Sequence, residues 1–159
     1  MSVSRRETVI VSLGPDETSA IGFRIGKALK GGEVIALTGP LGSGKTQLVK
    51  GIAAGAGASD SSRVSSPTFV IINEYPPAGE GLYIYHIDAY RIESAGEFEM
   101  LGFDELCYPE SVVIIEWADK VRQSISRIRT VDIEMAHRDE TSRSIAMKDL
   151  PEHLADLFV

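Results

Sequence analysis

The sequence predicts an α/β protein whose central sheet is mostly parallel, carries antiparallel hairpins and is flanked by helices. Three observations lead there. The apolar run Val34-Ile35-Ala36-Leu37 runs into Gly39-Pro40-Leu41-Gly42-Ser43-Gly44-Lys45-Thr46, and Gln47 to Ala54 follows with helical spacing. Val112 to Ile115 is a short, continuous apolar run, the pattern of a strand buried on both faces of a parallel sheet. Two pairs of β-rich runs, Val70–Tyr75 with Leu82–Asp88 and Arg129–Ala136 with Ser144–Met147, are each joined by turn-forming or polar residues and read as hairpins.

Taken in order, Glu7 to Leu13 alternates weakly and is expected to open the fold as a strand. Gly14-Pro15-Asp16-Glu17 marks a turn and a helix start, with acids suited to the helix dipole. Ile21, Ile25, Ala28 and Leu29 then recur at helical spacing until Gly31-Gly32 ends the helix. Glu33 to Thr38 is the strand that feeds the glycine-rich loop. After the loop helix, Gly55 to Ser62 is a small, polar connection. Pro76 to Gly81 is the turn of the first hairpin. Ala95 to Phe103 has helical composition, with Phe98, Met100 and Leu101 as its apolar residues, and Asp104 to Glu110 reads as irregular. A helix is expected over Ala118–Ile125, and Pro151 fits the first turn of a terminal helix over Glu152–Phe158.

The whole chain sets bounds on function. Its 159 residues, 43% hydrophobic and 25% charged, suit one domain over 1–159 that buries its own core. A formal charge of -7 provides no footprint for gripping nucleic acid or an anionic membrane, so any RNA in the function falls to a partner. Cys107 stands alone, which excludes a disulfide framework and a cysteine-rich zinc site. No stretch approaches the ~18 apolar residues of a membrane span, and the N-terminus lacks the apolar core of a signal peptide. The expectation is a cytoplasmic protein.

The chemistry starts from the loop. G-x-x-x-x-G-K-T between a strand and a helix is the phosphate-binding loop of a P-loop NTPase. Its glycines let successive backbone N–H groups curl around an anion, and the helix start aims its dipole at the same place. Gly39, Leu41, Gly42, Ser43, Gly44 and Gln47 are therefore nucleotide-binding candidates. Lys45 is expected on the β- and γ-phosphates, and the Thr46 hydroxyl on Mg²⁺. Such a site needs a second acid, usually at the end of a buried strand. Glu116 follows Val112–Ile115 in the Walker-B position, with Glu in place of Asp, and Asp88 ends Leu82–Ile87. One acid is read as holding the metal, directly or through water, and the other as orienting the attacking water. Thr68, in Ser65-Ser66-Pro67-Thr68, stands where a switch threonine senses metal and γ-phosphate. His86, Tyr90 and Arg91 surround Asp88; His86 reads as structural rather than catalytic, and Arg91 as a source of positive charge or a surface salt bridge. No N-K-x-D guanine signature is present, and Asp88-Ala89-Tyr90-Arg91 is not a D-x-x-G switch, which favours ATP over GTP. The residues leave an ATPase, a small-molecule kinase and a nucleotide-gated binding module open.

Together, Gly39-x-Leu-Gly-x-Gly-Lys-Thr46, Val64-x-Ser-Pro-Thr-Phe69, His86-x-Asp-x-Tyr-Arg91 and Ile115-Glu-Trp117 resemble the TsaE (YjeE) family of ATPases in tRNA threonylcarbamoyladenosine biosynthesis. The resemblance runs from about Thr18 to Arg143. It implies a bacterial, cytoplasmic P-loop ATPase, weak alone, that acts with TsaB and TsaD in tRNA N6-threonylcarbamoyladenosine (t6A) modification. The TsaB–TsaD pair transfers the threonylcarbamoyl group and holds the tRNA. Carried over position by position, Lys45 contacts phosphates, Thr46 and Glu116 hold Mg²⁺, and Thr68 and Asp88 form the switch and catalytic neighbourhood. Trp117 lies next to the nucleotide. Further nucleotide contacts are expected around Asp16 to Thr18 and in the late hairpin around Thr141 and Arg143. The chain departs from the family at Pro40, where Asp is frequent, and at Thr141, where Gly is frequent.

Overall fold

The computed structural model describes residues 7–60 and 72–158. Among these residues, seven strands form one sheet: β1 (Glu7–Ser12), β2 (Val34–Thr38), β3 (Ile72–Tyr75), β4 (Tyr83–Asp88), β5 (Ser111–Glu116), β6 (Val131–His137) and β7 (Arg143–Lys148). Their spatial order is β1-β7-β6-β2-β5-β4-β3. β6, β2, β5 and β4 run parallel through the middle, while β3 pairs with β4, and β7 with β6 and β1, antiparallel. The mostly parallel sheet and both hairpins are thus as expected. Among the described residues, Glu7–Ser12 and Ile72–Tyr75 are the two edge strands.

The central strands are apolar on both faces because both faces are covered. On one side, Ile35 and Leu37 of β2, Ile114 of β5 and Ile133 of β6 pack against α1 (Pro15–Ala28) and α2 (Lys45–Gly55). On the other, Val34, Ala36, Val113 and Ile115 pack against α3 (Ala95–Met100), α4 (Phe103–Leu106) and the turns after β5. Among the described residues, no helix is long and apolar enough to cross a membrane.

Three helices differ from expectation. Gly102, at φ 73, breaks Ala95–Phe103 into α3 and α4, so residues 103–106, expected partly as irregular chain, are helical. Met100, counted as apolar face, is 88% exposed, whereas Phe98 is buried. Ala118–Ile125 is not an α-helix: a 3-10 turn covers Ala118–Val121, and i→i+3 bonds such as Ser124 N–H to Val121 O carry the chain onward. Val121 and Ile125 reach the core without a continuous helix, and Ser126 hydrogen-bonds back to the Gln123 carbonyl, a local competitor of helix formation. Pro151 is the N-cap of α5 (Glu152–Ala155), not its first residue, and the helix is one turn long.

The packing of α1 on α2 depends on glycines that sequence periodicity did not single out. Gly22 and Gly26 on α1 face Gly51 and Gly55 on α2, each pair one turn apart. A Cβ at Gly22 would lie 2.4 Å from the Leu48 carbonyl oxygen, and one at Gly26 2.0 Å from that of Ile52. At Gly51 and Gly55 it would meet the carbonyls of Ser19 and Phe23 at 2.1 Å. The two backbones are therefore in contact, and this fixes α1 beside the loop that α2 extends. We expect Gly26→Ala to destabilise the fold by about 1–3 kcal/mol, because the methyl meets backbone that cannot rotate away. A urea unfolding midpoint equal to wild type would contradict this packing.

Candidate functional site

The loop Gly39–Gly44 joins the end of β2 to α2, with Gly42 at φ 75 and Gly44 at φ 95. Within it the Ser43 N–H donates to the Pro40 carbonyl at 3.1 Å, a one-turn closure. Pro40 lacks an N–H but contributes that carbonyl twice, since Lys45 Nζ also donates to it at 2.9 Å. Lys45 Nζ donates to the Gly39 carbonyl at 2.6 Å and lies 4.3 Å from the centre of the Trp117 ring, within cation–π range. The lysine is thus folded over its own loop. Burial pushes its ammonium below the usual lysine range, and the nearby carboxylates of Glu116, Asp88 and Asp119 partly oppose that shift. An added polyphosphate would act in the same sense as those carboxylates.

Both acids stand at the carboxyl ends of parallel strands on the side where α2 begins, as expected for an open α/β sheet. Asp88 and Glu116 are register partners on β4 and β5, 7% and 2% exposed. The Tyr90 N–H donates to Asp88 Oδ1 at 2.9 Å, and the Ala89 N–H to the Glu116 carbonyl at 3.0 Å, which ties the two strand ends together. Trp117, directly after Glu116, adopts φ 58, a left-handed backbone that a bulky side chain rarely takes. That turn sets the indole against Lys45 and 4.9 Å from the Tyr90 ring, and Lys120 donates to the Tyr90 carbonyl beneath it.

The remaining candidates fall around the same loop. Thr18, on the first turn of α1, places its methyl beside Gly44, but its hydroxyl is engaged with Ser12 Oγ at 2.7 Å and the Gly14 carbonyl at 3.2 Å. Asp16 is exposed on that turn, and Glu17 accepts from the Leu13 N–H at 2.6 Å. Thr46 and Gln47 are half-buried on the first turn of α2. Leu41 is 86% exposed at the loop tip. From the β6–β7 hairpin, Arg143 Nη2 reaches the Gly42 carbonyl at 3.4 Å, and His137 Nε2 lies 3.5 Å from the Leu41 carbonyl. Asp139 shapes that hairpin, accepting from the N–H groups of Thr141 and Ser142 at 2.9 and 2.7 Å. The Ser142 side chain first, and then those N–H groups, hold its carboxyl well below the usual range. Thr141 itself is exposed and bonded to Asp139. Thr68 lies outside the described residues.

Two participants were not among the site residues expected from the sequence, although His86 opens the His86-x-Asp-x-Tyr-Arg91 motif. His137 reaches the loop only because β6 lies beside β2 in the sheet. His86, read as structural, is fully buried and lies 2.8 Å from Glu116 Oε2 through its Nε2.

Thr46, Glu116 and Asp88 could offer oxygen donors to a cation, the donor type that Mg²⁺ takes. Among the described residues no three His, Cys, Asp or Glu side chains form a metal cage.

The loop, the strand-end acids and the parallel centre of the sheet define an α/β protein of the P-loop type. Comparison with known proteins sharpens this. The sequence model described as "Threonylcarbamoyl adenosine biosynthesis protein TsaE" matches residues 13–145. The tRNA threonylcarbamoyladenosine biosynthesis protein TsaE of Bacillus subtilis is 40% identical over 131 residues, covering 81% of this chain and 78% of that protein. The protein of the same name from a Nostoc species is 34% identical over 158 residues, covering 95% and 91%. The crystal structure of Bacillus subtilis YdiB superposes with a TM-score of 0.76 at 28% identity, covering 98% of this chain and 94% of that one. The chain belongs to the TsaE family.

Because Trp117 is the single tryptophan, its emission reports on the site alone. Nucleotide that draws Lys45 away from the indole should give a saturable change in Trp117 emission, absent in Lys45→Ala. Flat emission across a titration that binds nucleotide by calorimetry would contradict this.

Proposed function

We propose that this chain, as one ATPase domain, hydrolyses ATP with Mg²⁺ in support of tRNA t6A modification, working with a TsaB–TsaD complex in the cytoplasm. Family membership supports the pathway. The single structural observation behind the activity is the convergence of Lys45, Glu116 and Asp88 at the start of α2.

In this reading the loop N–H groups and the α2 dipole bind the phosphates, and Lys45 leaves the Gly39 and Pro40 carbonyls to reach the β- and γ-oxygens. Thr46 and Glu116 hold Mg²⁺, which withdraws charge from the phosphates when bound. Asp88, already oriented by the Tyr90 N–H, positions the attacking water. Thr68 supplies the switch contact. Trp117 closes one side of the site, and Arg143 steadies the loop from the late hairpin. Gly39, Leu41, Gly42, Ser43, Gly44 and Gln47 complete the nucleotide set, with Asp16, Thr18 and Thr141 at its margins. The acidic chain leaves tRNA to its partners.

The test is phosphate release with TsaB–TsaD, ATP and Mg²⁺. Lys45→Ala should lower turnover by about 10²–10³-fold, the scale of losing a preorganised donor to developing charge. Glu116→Ala should also collapse it, and the product should be free phosphate rather than a phosphorylated acceptor. Wild-type turnover in both variants would remove these residues from the site.

A further inference from the structure

We propose that His86 is a positioning residue for Glu116, and that Tyr75 fixes the tautomer in which it acts. The three side chains lie on β3, β4 and β5, neighbouring strands of the sheet. Tyr75 Oη is 3.3 Å from His86 Nδ1, and His86 Nε2 is 2.8 Å from Glu116 Oε2. All three are buried, at 5%, 0% and 2% exposure. An ionised carboxylate only accepts, so Nε2 carries the proton toward Glu116; in the neutral ring Nδ1 then accepts from the Tyr75 hydroxyl. Both ring nitrogens are satisfied by this single arrangement.

The surroundings argue for a role beyond filling space. His86 pairs in register with Ile114 on β5 and shares its face of β4 with Ile84, both fully buried, and with the carboxylate of Asp88 at the strand end. An apolar residue would fit that environment without the desolvation of an imidazole. What an apolar residue lacks is a donor aimed at Glu116 from behind. Among the described residues, the hydrogen bond to the Glu116 carboxylate comes from His86, at the point where β5 ends and Trp117 turns left-handed. A carboxylate that holds a metal works best when its second oxygen is tied, because the freed rotamers otherwise oppose binding. His86 supplies that tie through Oε2.

This inference rests on the reading of Glu116 as a metal acid, and the experiment separates the two. Mg²⁺ is titrated by calorimetry into the full chain carrying a slowly hydrolysed ATP analogue, with analogue affinity in the absence of Mg²⁺ measured alongside. Unchanged Mg²⁺ affinity in Glu116→Ala overturns the underlying assignment. Given a loss there, His86→Leu should weaken Mg²⁺ binding about tenfold or more and leave Mg²⁺-free analogue affinity at the wild-type value. His86→Gln, whose amide can place an N–H near the Nε2 position, should restore most of the Mg²⁺ affinity. Tyr75→Phe should cause a smaller loss with the imidazole still in place. If His86→Leu does not fold, the other two variants carry the test. Wild-type Mg²⁺ affinity in folded His86→Leu, or in Tyr75→Phe, overturns the arrangement, as does a loss in His86→Gln equal to that in His86→Leu.

Discussion

Lys45, a residue 6% exposed at the start of α2, is the constraint around which the loop end of this protein is built. Burying an ammonium is unfavourable unless its donors are met and opposite charge is near. Lys45 finds two loop carbonyls, the face of Trp117, and the field of Glu116, Asp88 and Asp119. Each of these has its own structural requirement. The loop that carries those carbonyls folds back to the lysine with Gly39, Gly42 and Gly44 at positive φ. The carboxylates arrive because β4 and β5 end at the same level as β2. The indole arrives because the chain turns left-handed directly after Glu116.

The lysine's position also couples binding to charge balance. Without a polyphosphate, its burial works against protonation, and the surrounding acids work for it. In the proposed reading, a triphosphate would strengthen the favourable side and offer Lys45 partners beyond the Gly39 and Pro40 carbonyls. The strain at Trp117 belongs to the same arrangement. A left-handed tryptophan is an unfavourable local choice, held by Tyr90 on one face and Lys45 on another. Such strain gathers at working sites, where the surrounding structure fixes a geometry that the local chain would not choose.

Support for the loop comes from outside it. The glycine contacts between α1 and α2 bring Thr18 to the side of Gly44. Across the loop, the β6–β7 hairpin, tightened by Asp139, sets Arg143 and His137 near the carbonyls of Gly42 and Leu41. From the strand side, His86 and Tyr75 extend the polar network of Glu116 through the apolar sheet. The loop is thus flanked by α1, the late hairpin and the strand-end acids.

Local patterns by themselves determined the parts of this protein whose signal is short. Val34 to Gln47 declared strand, phosphate loop and helix because glycine, lysine and threonine at that spacing have few other uses. Val112–Ile115 declared a doubly buried strand because an uninterrupted apolar run needs cover on both faces. Tertiary structure decided what depends on neighbours distant in sequence. Helical composition over Ala118–Ile125 gave way to 3-10 turns, since Val121 and Ile125 could be buried without a continuous helix. Gly22, Gly26, Gly51 and Gly55 revealed their purpose only when two backbones met. His86, first residue of the His86-x-Asp-x-Tyr-Arg91 motif, read as structural until the parallel pairing of β4 with β5 brought its Nε2 to Glu116, thirty residues on. Spacing along a chain encodes which residues share a turn or a face; which acid meets which imidazole is set by strand order, and strand order is a property of the whole fold.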